Sequence, residues 1–183
     1  MTRTIYYTAA TLDGYLADEH DSLEWLFVQD IDADGPNSHE AFMAGVGTIV
    51  MGRTTYEWLR AHLERTGEPW LYEQPAWVLS HATLPGLDGA DLRFAQGDVA
   101  DLHPALVEAA GGKDVWVVGG GDLAAQFADA GLLDQIVISI AGVTLGAGRP
   151  LFPGRFALEL TDVARNRSFV CATYDVKGPL DQG

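Results

Sequence analysis

The feature that most constrains the fold is a strongly apolar run that passes directly into three glycines and then into a helical pattern. Residues 115–118 are VWVV, the pattern of a strand covered on both faces, and Gly119–Gly121 separate this strand from the helical sequence DLAAQF. Because glycine has no Cβ, backbone N–H groups at such a turn can approach a ligand closely. The N-terminus of the following helix adds unpaired donors and the positive end of the helix dipole. The segment therefore predicts either a diphosphate-binding turn or a tight turn without a ligand.

The position of this turn argues against a standard Rossmann domain. Gly119, Gly121 and Ala124 satisfy the relaxed dinucleotide fingerprint. In a Rossmann domain that fingerprint follows the first strand, and a ribose-binding acid ends the next strand about 20 residues later. Here the turn lies about two-thirds of the way along the chain, and the nearest acid, Asp134, begins the next strand. A nucleotide ligand is therefore compatible with the sequence, whereas the usual dinucleotide-binding fold is not.

Predicted strands and helices alternate along the chain, which favours an α/β sandwich with a mostly parallel central sheet. The tail, 157–163 and 168–176 around residues 164–167, predicts a closing antiparallel hairpin. Because no repeat, low-complexity tract or linker interrupts the pattern, we expect one domain over residues 1–183. The remaining predicted strands span 4–10, 46–51, 76–80, 91–95 and 135–141, and the predicted helices span 39–45, 55–65, 100–110 and 122–131.

An acidic stretch separates the first strand from the first long helix. Residues 18–38 contain seven Asp or Glu around an apolar island at 23–27. The stretch is either a long functional loop or a short interrupted helix. Asn37 or Ser38 is expected to cap the helix that follows.

Charge and composition exclude several classes of function. With 26 acidic and 11 basic residues, the net charge of −15 opposes binding to nucleic acid. No segment approaches the roughly 20 apolar residues that a membrane-spanning helix needs, and the N-terminus turns acidic too soon for a signal peptide. The lone Cys171 rules out a disulfide framework and a thiolate-rich metal site, and the five histidines lack metal-ligand spacing. We therefore expect a cytoplasmic protein that binds a small molecule and no metal.

Two further strand ends carry groups suited to an anion. In the sequence MGRTTYE, Gly52 permits close approach, and Arg53 at the start of a helix suits a phosphate monoester. In WVLSH, Ser80 and His81 present a hydroxyl and an imidazole at a comparable position. The three strand ends together predict a site for an elongated anion.

These segments resemble the dihydrofolate reductase superfamily, and in particular the reductase domain of the bifunctional riboflavin-biosynthesis deaminase–reductase. The matching pieces are TAATLDGYLA, MGRTTYEWL, WVLSH, VWVVGGGDLAAQF and LLDQIVISIAGVTLGAGRPLF, which occur in the family's order over nearly the whole chain. The resemblance implies a dihydrofolate reductase-like three-layer sandwich, NADPH as cofactor and a homodimer. The lone cysteine cannot supply the zinc ligands of the deaminase half, so we expect the reductase domain alone.

The activity that the resemblance implies is NADPH-dependent reduction of a small heterocycle. The family's substrate is 5-amino-6-(5-phosphoribosylamino)uracil, which is reduced at the ribosyl C1′. Two alternatives remain open, a dihydrofolate- or pterin-type reductase and a non-catalytic NADPH-binding protein on the same fold. One departure bears on this choice, because Ala124 stands where folate-type enzymes carry an aromatic residue beside the nicotinamide.

The resemblance also assigns the cofactor residues. Ala9 and Leu16 would frame the nicotinamide, and Arg53 and His81 would lie near the 2′-phosphate. Asp122 departs from the folate-type pattern, in which a basic residue is common, and is interpreted as a first-turn acid that stabilises the helix dipole. The other residues expected to hold the phosphates and the adenosine are Gly52, Thr54, Thr55, Leu79, Ser80, Val118, Gly119, Gly120, Gly121, Leu123 and Gln126.

Substrate contacts and the proton donor are less constrained by the sequence. Three carboxylates are candidate catalytic proton donors, and each has a plainer alternative. Asp30 follows Trp25 at the folate-type spacing, but its flanking residues are typical of a solvated acidic loop. Glu40 lies in the first turn of a predicted helix, where its alternative role is to stabilise the helix dipole. Asp13 belongs to the loop LDGYLA, where it meets the substrate or forms a turn. The candidates to line a flat heterocycle are Trp25, Trp58 and Leu59.

Overall fold

Strands and helices alternate in the structure, a computed structural model that describes residues 1–180. In chain order the elements are β1 (Thr4–Thr11), β2 (Tyr15–Ala17), α1 (Glu24–Phe27), α2 (His39–Ala44), β3 (Val46–Gly52), α3 (Arg53–Thr66), β4 (Ala76–Leu79), β5 (Leu92–Ala95), α4 (Val99–Ala110), β6 (Asp114–Gly119), α5 (Gly121–Asp129), β7 (Gln135–Ala141), β8 (Arg149–Pro150), β9 (Phe156–Asn166) and β10 (Phe169–Pro179).

Eight of the strands within residues 1–180 form one sheet, in the order β5-β4-β3-β6-β1-β7-β10-β9. Every neighbouring pair from β5 to β7 is parallel, while β10 is antiparallel to both β7 and β9. The short strands β2 and β8 pair separately and antiparallel. The predicted α/β sandwich with a mostly parallel sheet and a C-terminal antiparallel hairpin is therefore confirmed.

Helices cover both faces of this sheet, which gives three layers. On one face, α4 and α5 bury Tyr6, Val117 and Phe127 in a shared core. On the other face, α3 packs Tyr56 against the β3 side chains. The two faces follow from the alternation of side chains along each strand, since adjacent residues point to opposite sides of a sheet. Burying each large apolar side chain of this kind contributes about 1.5–3 kcal/mol.

The structure refines several predicted boundaries. The helix after Gly52 begins at Arg53, two residues earlier than its apolar pattern indicates. The acidic stretch 18–38 is mostly loop and includes one helix of four residues, α1. Ser38, not Asn37, caps α2, because its Oγ accepts a hydrogen bond from the Ala41 N–H (3.4 Å).

The C-terminal hairpin has a tighter turn than predicted. Strands β9 and β10 pair as far as Asn166 and Phe169, so the turn consists of Arg167 and Ser168 instead of residues 164–167. The polar sequence of the predicted loop continues as strand because cross-strand pairing there satisfies its backbone groups.

No helix within residues 1–180 combines the length and the apolar character needed to span a membrane. The predicted cytoplasmic location stays a prediction.

Candidate cofactor and substrate cavity

The order of the strands opens a cavity at the carboxyl ends of β3 and β6. These strands are neighbours in the sheet, with Met51 opposite Gly119, but the helices that follow them go to opposite faces. The chain therefore diverges at this point, and in open α/β sheets such a switch point is where ligands bind. The cavity has a volume of about 1150 Å³. This volume exceeds the upper limit of about 1,000 Å³ that is usual for pockets of drug-sized ligands.

Every residue predicted to contact the cofactor lines this cavity. The strand ends bring together positions that are far apart in the sequence, from β1 at one side to the residues after β4 at the other. The lining includes Ala9, Leu16, Gly52, Arg53, Thr54, Thr55, Leu79, Ser80, His81, Val118, Gly119, Gly120, Gly121, Asp122, Leu123 and Gln126.

The three glycines of the turn have different roles. Gly119 has a φ of +149°, which favours glycine over other residues, and the Gly119–Gly120 peptide bond is cis. A Cβ on Gly121 would overlap the carbonyl oxygens of Pro150 and Leu151, so this glycine allows α5 to pack against β8. A Cβ on Gly120 would meet no atom within 4 Å. Gly120 is thus the position at which the backbone borders open space, where a ligand can approach it.

Two helix N-termini face the same cavity. The N-cap residues, Gly120 for α5 and Gly52 for α3, provide no side-chain cap, so no capping side chain occupies the N–H groups of either first turn. In α5 the Leu123 N–H donates to the Gly120 carbonyl (3.1 Å), and the N–H groups before it are the ones that can meet a ligand. Arg53 begins α3 with its side chain 55% exposed, and its Nε donates to Glu57 Oε1 (3.0 Å). Asp122 is exposed in the first turn of α5, as its interpretation as a helix-dipole acid requires. Two positive helix ends at one cavity make it suited to an elongated anion.

The residues that follow β4, Ser80 and His81, border the cavity. The Ser80 hydroxyl folds back on its own loop, accepting from the Ala82 N–H (3.0 Å) and donating to the Ala82 carbonyl (3.2 Å). The ring of His81 is exposed, and its carbonyl accepts from Gln96 Nε2 (3.4 Å). These contacts fix the backbone at a point where Ser80 and His81 border the cavity.

The cavity is also lined by uncharged side chains from β1, β6, β7, β10, α1, α3 and the loops around them, which the sequence does not mark as a group. We call this set the neutral half. Its aromatic members are Tyr7, Phe27, Trp58, Tyr72, Trp116 and Phe169, and its other members are Thr8, Leu26, Gln29, Ile31, Asn37 and Ser139. Of the predicted substrate residues, Trp58 belongs to this set and Leu59 lines the cavity beside it.

A hydrogen-bonded network fixes the floor of the neutral half. The Tyr7 hydroxyl donates to the Asn37 carbonyl (2.7 Å), and Asn37 Nδ2 donates to the Ile138 carbonyl (3.0 Å) and to Ser139 Oγ (3.3 Å). Burial raises the pKa of Tyr7 and of Tyr72 to about 12, so both phenols stay neutral at physiological pH. Tyr7 looks like an ordinary strand residue in the sequence and Asn37 like a helix cap. The sequence held one signal for each residue. Tyr7 lies on the same strand as Ala9, which was expected to frame the nicotinamide, and Asn37 lies in the acidic stretch 18–38.

The comparison with known families agrees with this geometry. The family model of the RibD C-terminal domain matches residues 3–169. The chain belongs to the RibD C-terminal domain family. This confirms the resemblance carried by the strand–turn–helix motifs.

Individual proteins and solved structures are also similar to this chain. The uncharacterized protein YwjB of Bacillus subtilis (strain 168) is 27% identical over 150 residues, which is 82% of each chain. The crystal structure of a putative riboflavin biosynthesis protein from Shewanella sp. PV-4 matches with a TM-score of 0.82 at 26% identity, over 96% of this chain and 99% of that one. Dihydrofolate reductase from Enterococcus faecalis, complexed with NADP(H), matches with a TM-score of 0.55 at 14% identity over 96% of both chains, which shows the shared fold.

An ion pair borders the cavity of this RibD C-terminal domain. Arg149 on β8 donates through Nε to Asp21 Oδ1 (2.5 Å) and through a second nitrogen, Nη2, to Asp21 Oδ2 (3.0 Å). The Asp21 carboxylate raises the pKa of the Arg149 guanidinium, which stays charged. The bidentate contact ties the acidic loop to β8 and leaves Arg149 already matched by an anion.

The three carboxylates predicted as proton donors lie outside the cavity lining. The Asp13 carboxylate accepts from Thr11 Oγ1 (2.6 Å) and from the N–H groups of Leu145 (3.0 Å) and Gly146 (2.7 Å), so it joins two loops. Asp30 is exposed, and its Oδ1 lies 3.5 Å from Nη1 of Arg167. Glu40 is exposed on α2 and borders a different depression. The geometry therefore gives none of the three direct access to a ligand in the main cavity.

Trp25, predicted to line the substrate, is also absent from the cavity lining. Its indole N–H donates to the Leu16 carbonyl (3.1 Å), and its ring is buried in a cluster with Phe169 and Cys171. Trp25 thus supports β2, the strand that carries Leu16 into the cavity.

Proposed function

We propose that this RibD C-terminal domain is an NADPH-dependent reductase that transfers a hydride to a small heterocyclic substrate. The observation that carries the proposal is the pair of helix N-termini, those of α3 and α5, that open without side-chain caps onto one cavity. A chain with net charge −15 repels anions in general, so binding a dinucleotide phosphate requires such local donors.

The residues at the two helix ends fit the parts of NADPH. The backbone at Gly120 borders open space and would hold the diphosphate together with the first N–H groups of α5. Arg53 and His81 would receive the 2′-phosphate, and Arg53 supplies a permanent positive charge there. Ala9 and Leu16 would frame the nicotinamide beside the neutral half. Each assignment requires only groups that already line the cavity.

When bound, NADPH supplies the hydride. The protein orients the substrate and determines how the proton reaches the substrate heteroatom. The substrate carbon gains the hydride, the adjacent heteroatom gains a proton, and NADP⁺ is left. Of the carboxylates that line the cavity, Asp21 is paired with Arg149, Glu57 is paired with Arg53, and Asp122 lies in the first turn of α5. Tyr7, with a pKa of about 12, is a weak acid whose hydroxyl donates to the Asn37 carbonyl. We infer that water delivers the proton, while the Tyr7–Asn37–Ser139 network positions the heteroatom.

A second candidate function is NADPH binding without turnover. The position of Asp13, Asp30 and Glu40 outside the cavity favours it, because folate-type reductases use a carboxylate at the substrate. The same observation argues against a folate-type mechanism in which one of these three carboxylates donates the proton.

Loss of NADPH absorbance in the presence of reducible heterocycles separates these functions. The panel includes 5-amino-6-(5-phosphoribosylamino)uracil, dihydrofolate and uncharged pterins and uracils. Oxidation of NADPH in proportion to added substrate is the result expected of a reductase. NADPH binding with no oxidation across the panel would support the non-catalytic function instead.

We also propose that the protein is a homodimer. Strand β9 is the last strand of the sheet, and Leu158, Leu160 and Val163 on it are 40–59% exposed. They pair with Val176, Tyr174 and Ala172 of β10 and so lie on the sheet face that α5 covers further along. An exposed apolar row at a sheet edge is typical of an interface between chains.

A further inference from the structure

The neutral half differs from the rest of the cavity in its charge. All 11 lysines and arginines of the chain lie within the described residues 1–180, and two of them, Arg53 and Arg149, line the cavity. Arg53 begins α3 beside the glycine turn, where the cofactor is proposed to bind. Arg149 is held by both carboxylate oxygens of Asp21. The carboxylates of Asp21, Glu57 and Asp122 also line the cavity, and the neutral half comprises uncharged side chains by definition.

This lack of charge bears directly on which substrates can enter. A phosphate ester carries about −1.5 to −2 charges at pH 7 and needs cationic or N–H donors when it leaves water. The helix N-termini of α3 and α5 are taken by the cofactor in the proposed function. Freeing Arg149 for a substrate phosphate would leave Asp21 without its partner. The overall charge of −15 adds further repulsion.

The neutral half is instead built for a flat ring. The ring of Trp116 lies edge-on to those of Tyr7 (6.0 Å between centroids) and Tyr72 (5.6 Å), and its indole N–H donates to the Tyr7 carbonyl (3.0 Å). These contacts hold rigid aromatic surfaces in place without using charge. The hydroxyls of Ser139 and Thr8 add neutral polar groups that can contact a ring edge.

We propose that the substrate of this chain is a flat, uncharged heterocycle that carries no phosphate. The inference rests on the proposed function, because it assigns the charged half of the cavity to NADPH. It separates this chain from the phosphoribosylated substrate that its family resemblance implies. The chemical class is that of a free heterobicycle, a substituted uracil or a nucleoside-like compound with a reducible C=N or C=O bond.

Matched pairs of ligands test this proposal by isothermal titration calorimetry on the full chain saturated with NADP⁺. One pair is 5-amino-6-(5-phosphoribosylamino)uracil and its dephosphorylated riboside, and the other is riboflavin 5′-phosphate and riboflavin. We expect the unphosphorylated member of at least one pair to bind 10-fold or more tightly than its phosphorylated partner. Equal or tighter binding of the phosphorylated members would overturn the proposal, and so would the failure of all four compounds to bind.

A charge placed in the neutral half gives the converse test. Ile31 lines the cavity with its side chain 50% exposed, so substitution there leaves the core intact. Ile31→Lys is expected to raise the affinity for the phosphorylated members about 10-fold, whereas the matched control Ile31→Gln leaves it within about twofold of wild type. Equal affinities of Ile31→Lys and Ile31→Gln for the phosphorylated ligands would mean that charge in the cavity does not determine the preference for unphosphorylated ligands.

The failure of this inference can be distinguished from failure of the proposed function. NADPH binding is titrated first in the same preparation, in the absence of other ligands. Absence of NADPH binding overturns the proposed function, and the ligand pairs then report on the neutral half of the nucleotide-free protein. NADPH binding combined with a preference for phosphorylated ligands overturns only the inference about the substrate.

Discussion

Arg53 is the residue on which the proposed preference for NADPH over NADH depends. It lines the cavity as the first residue of α3, and its one described partner, Glu57, engages only Nε. Arg53→Ala should weaken NADPH binding by about 1.5–3 kcal/mol, toward the lower limit because the side chain is half exposed. Binding of NADH should change little. Titrations with both nucleotides measure the effect.

Arg60 on the same helix provides the matched control. It pairs with Glu64 (3.3 Å) in the same i,i+4 arrangement but does not line the cavity. Arg60→Ala should leave both affinities unchanged. Equal losses for NADPH and NADH in Arg53→Ala would show that Arg53 does not contact the 2′-phosphate.

The adjacent glycines of the turn should respond to alanine in opposite ways. At Gly121 a Cβ overlaps the Pro150 and Leu151 carbonyls, so Gly121→Ala should lower the melting temperature by several degrees. At Gly120 the φ of −78° tolerates alanine, and the Cβ meets only open space. Gly120→Ala should therefore keep its melting temperature and bind NADPH more weakly. A variant Gly120→Ala with unchanged NADPH affinity would place the diphosphate elsewhere.

Asp13 makes a pH-dependent contribution to stability. Hydrogen bonds from Thr11 Oγ1 and from the Gly146 and Leu145 N–H groups hold its pKa below the usual value of about 3.9. A carboxylate with a lowered pKa in the folded state stabilises that state above its unfolded pKa, and this contribution is lost as the pH falls through the folded value.

The substitution Asp13→Asn removes this contribution. It should lower the melting temperature at pH 7, and the difference from wild type should shrink as the pH falls below about 3.9. Asp88→Asn, at an exposed loop position, serves as the control and should show little difference at any pH. A deficit for Asp13→Asn that does not change with pH would mean that its loop contacts do not depend on the charge.

At the scale of elements, the sequence predicts most of what builds the cavity. Apolar runs such as VWVV and glycines directly after them specify strand ends and helix starts through local interactions. The end of β6 at the glycine turn was therefore predicted, and the start of α3 was predicted within two residues. The network of Tyr7, Asn37 and Ser139 was not recognised, because Tyr7 and Asn37 are 30 positions apart in the sequence and Asn37 and Ser139 are 102 apart. The paired strands β2 and β8 were missed for a different reason, since strands of three and two residues are too short to show a periodic pattern.

The hairpin of β9 and β10 is the element on which the proposed dimer depends. Replacing Leu160 and Val163 together by lysine should convert the dimer into a monomer, because it places charges on the exposed apolar row. Light scattering measures the mass against 19.7 kDa for one chain. Leu71→Lys, at a similarly exposed apolar position away from the hairpin, should leave the dimer intact. A wild-type protein that is entirely monomeric would contradict the proposed dimer.

At the scale of the whole molecule, a strongly acidic chain presents two positive helix ends and a neutral aromatic surface within one cavity. The sheet order produces this arrangement, because it brings β3 and β6 together while sending α3 and α5 to opposite faces. The residues predicted to contact a cofactor all line the cavity, because each lies at or near the end of a strand that opens onto it. The neutral half could not be predicted, because its residues come from β1, β6, β7, β10, α1, α3 and two loops, and they meet only once these are folded together.

Titration of the purified protein with NADPH and NADH, followed by tryptophan fluorescence and thermal shift, tests the central claim most directly. The account predicts saturable binding of NADPH, weaker binding of NADH and a rise in melting temperature. A ligand present at 100 times its Kd stabilises the folded state by about 2.7 kcal/mol, well within the range of the measurement. Absence of binding by either nucleotide would contradict the account, because the two helix ends would then have no dinucleotide to hold.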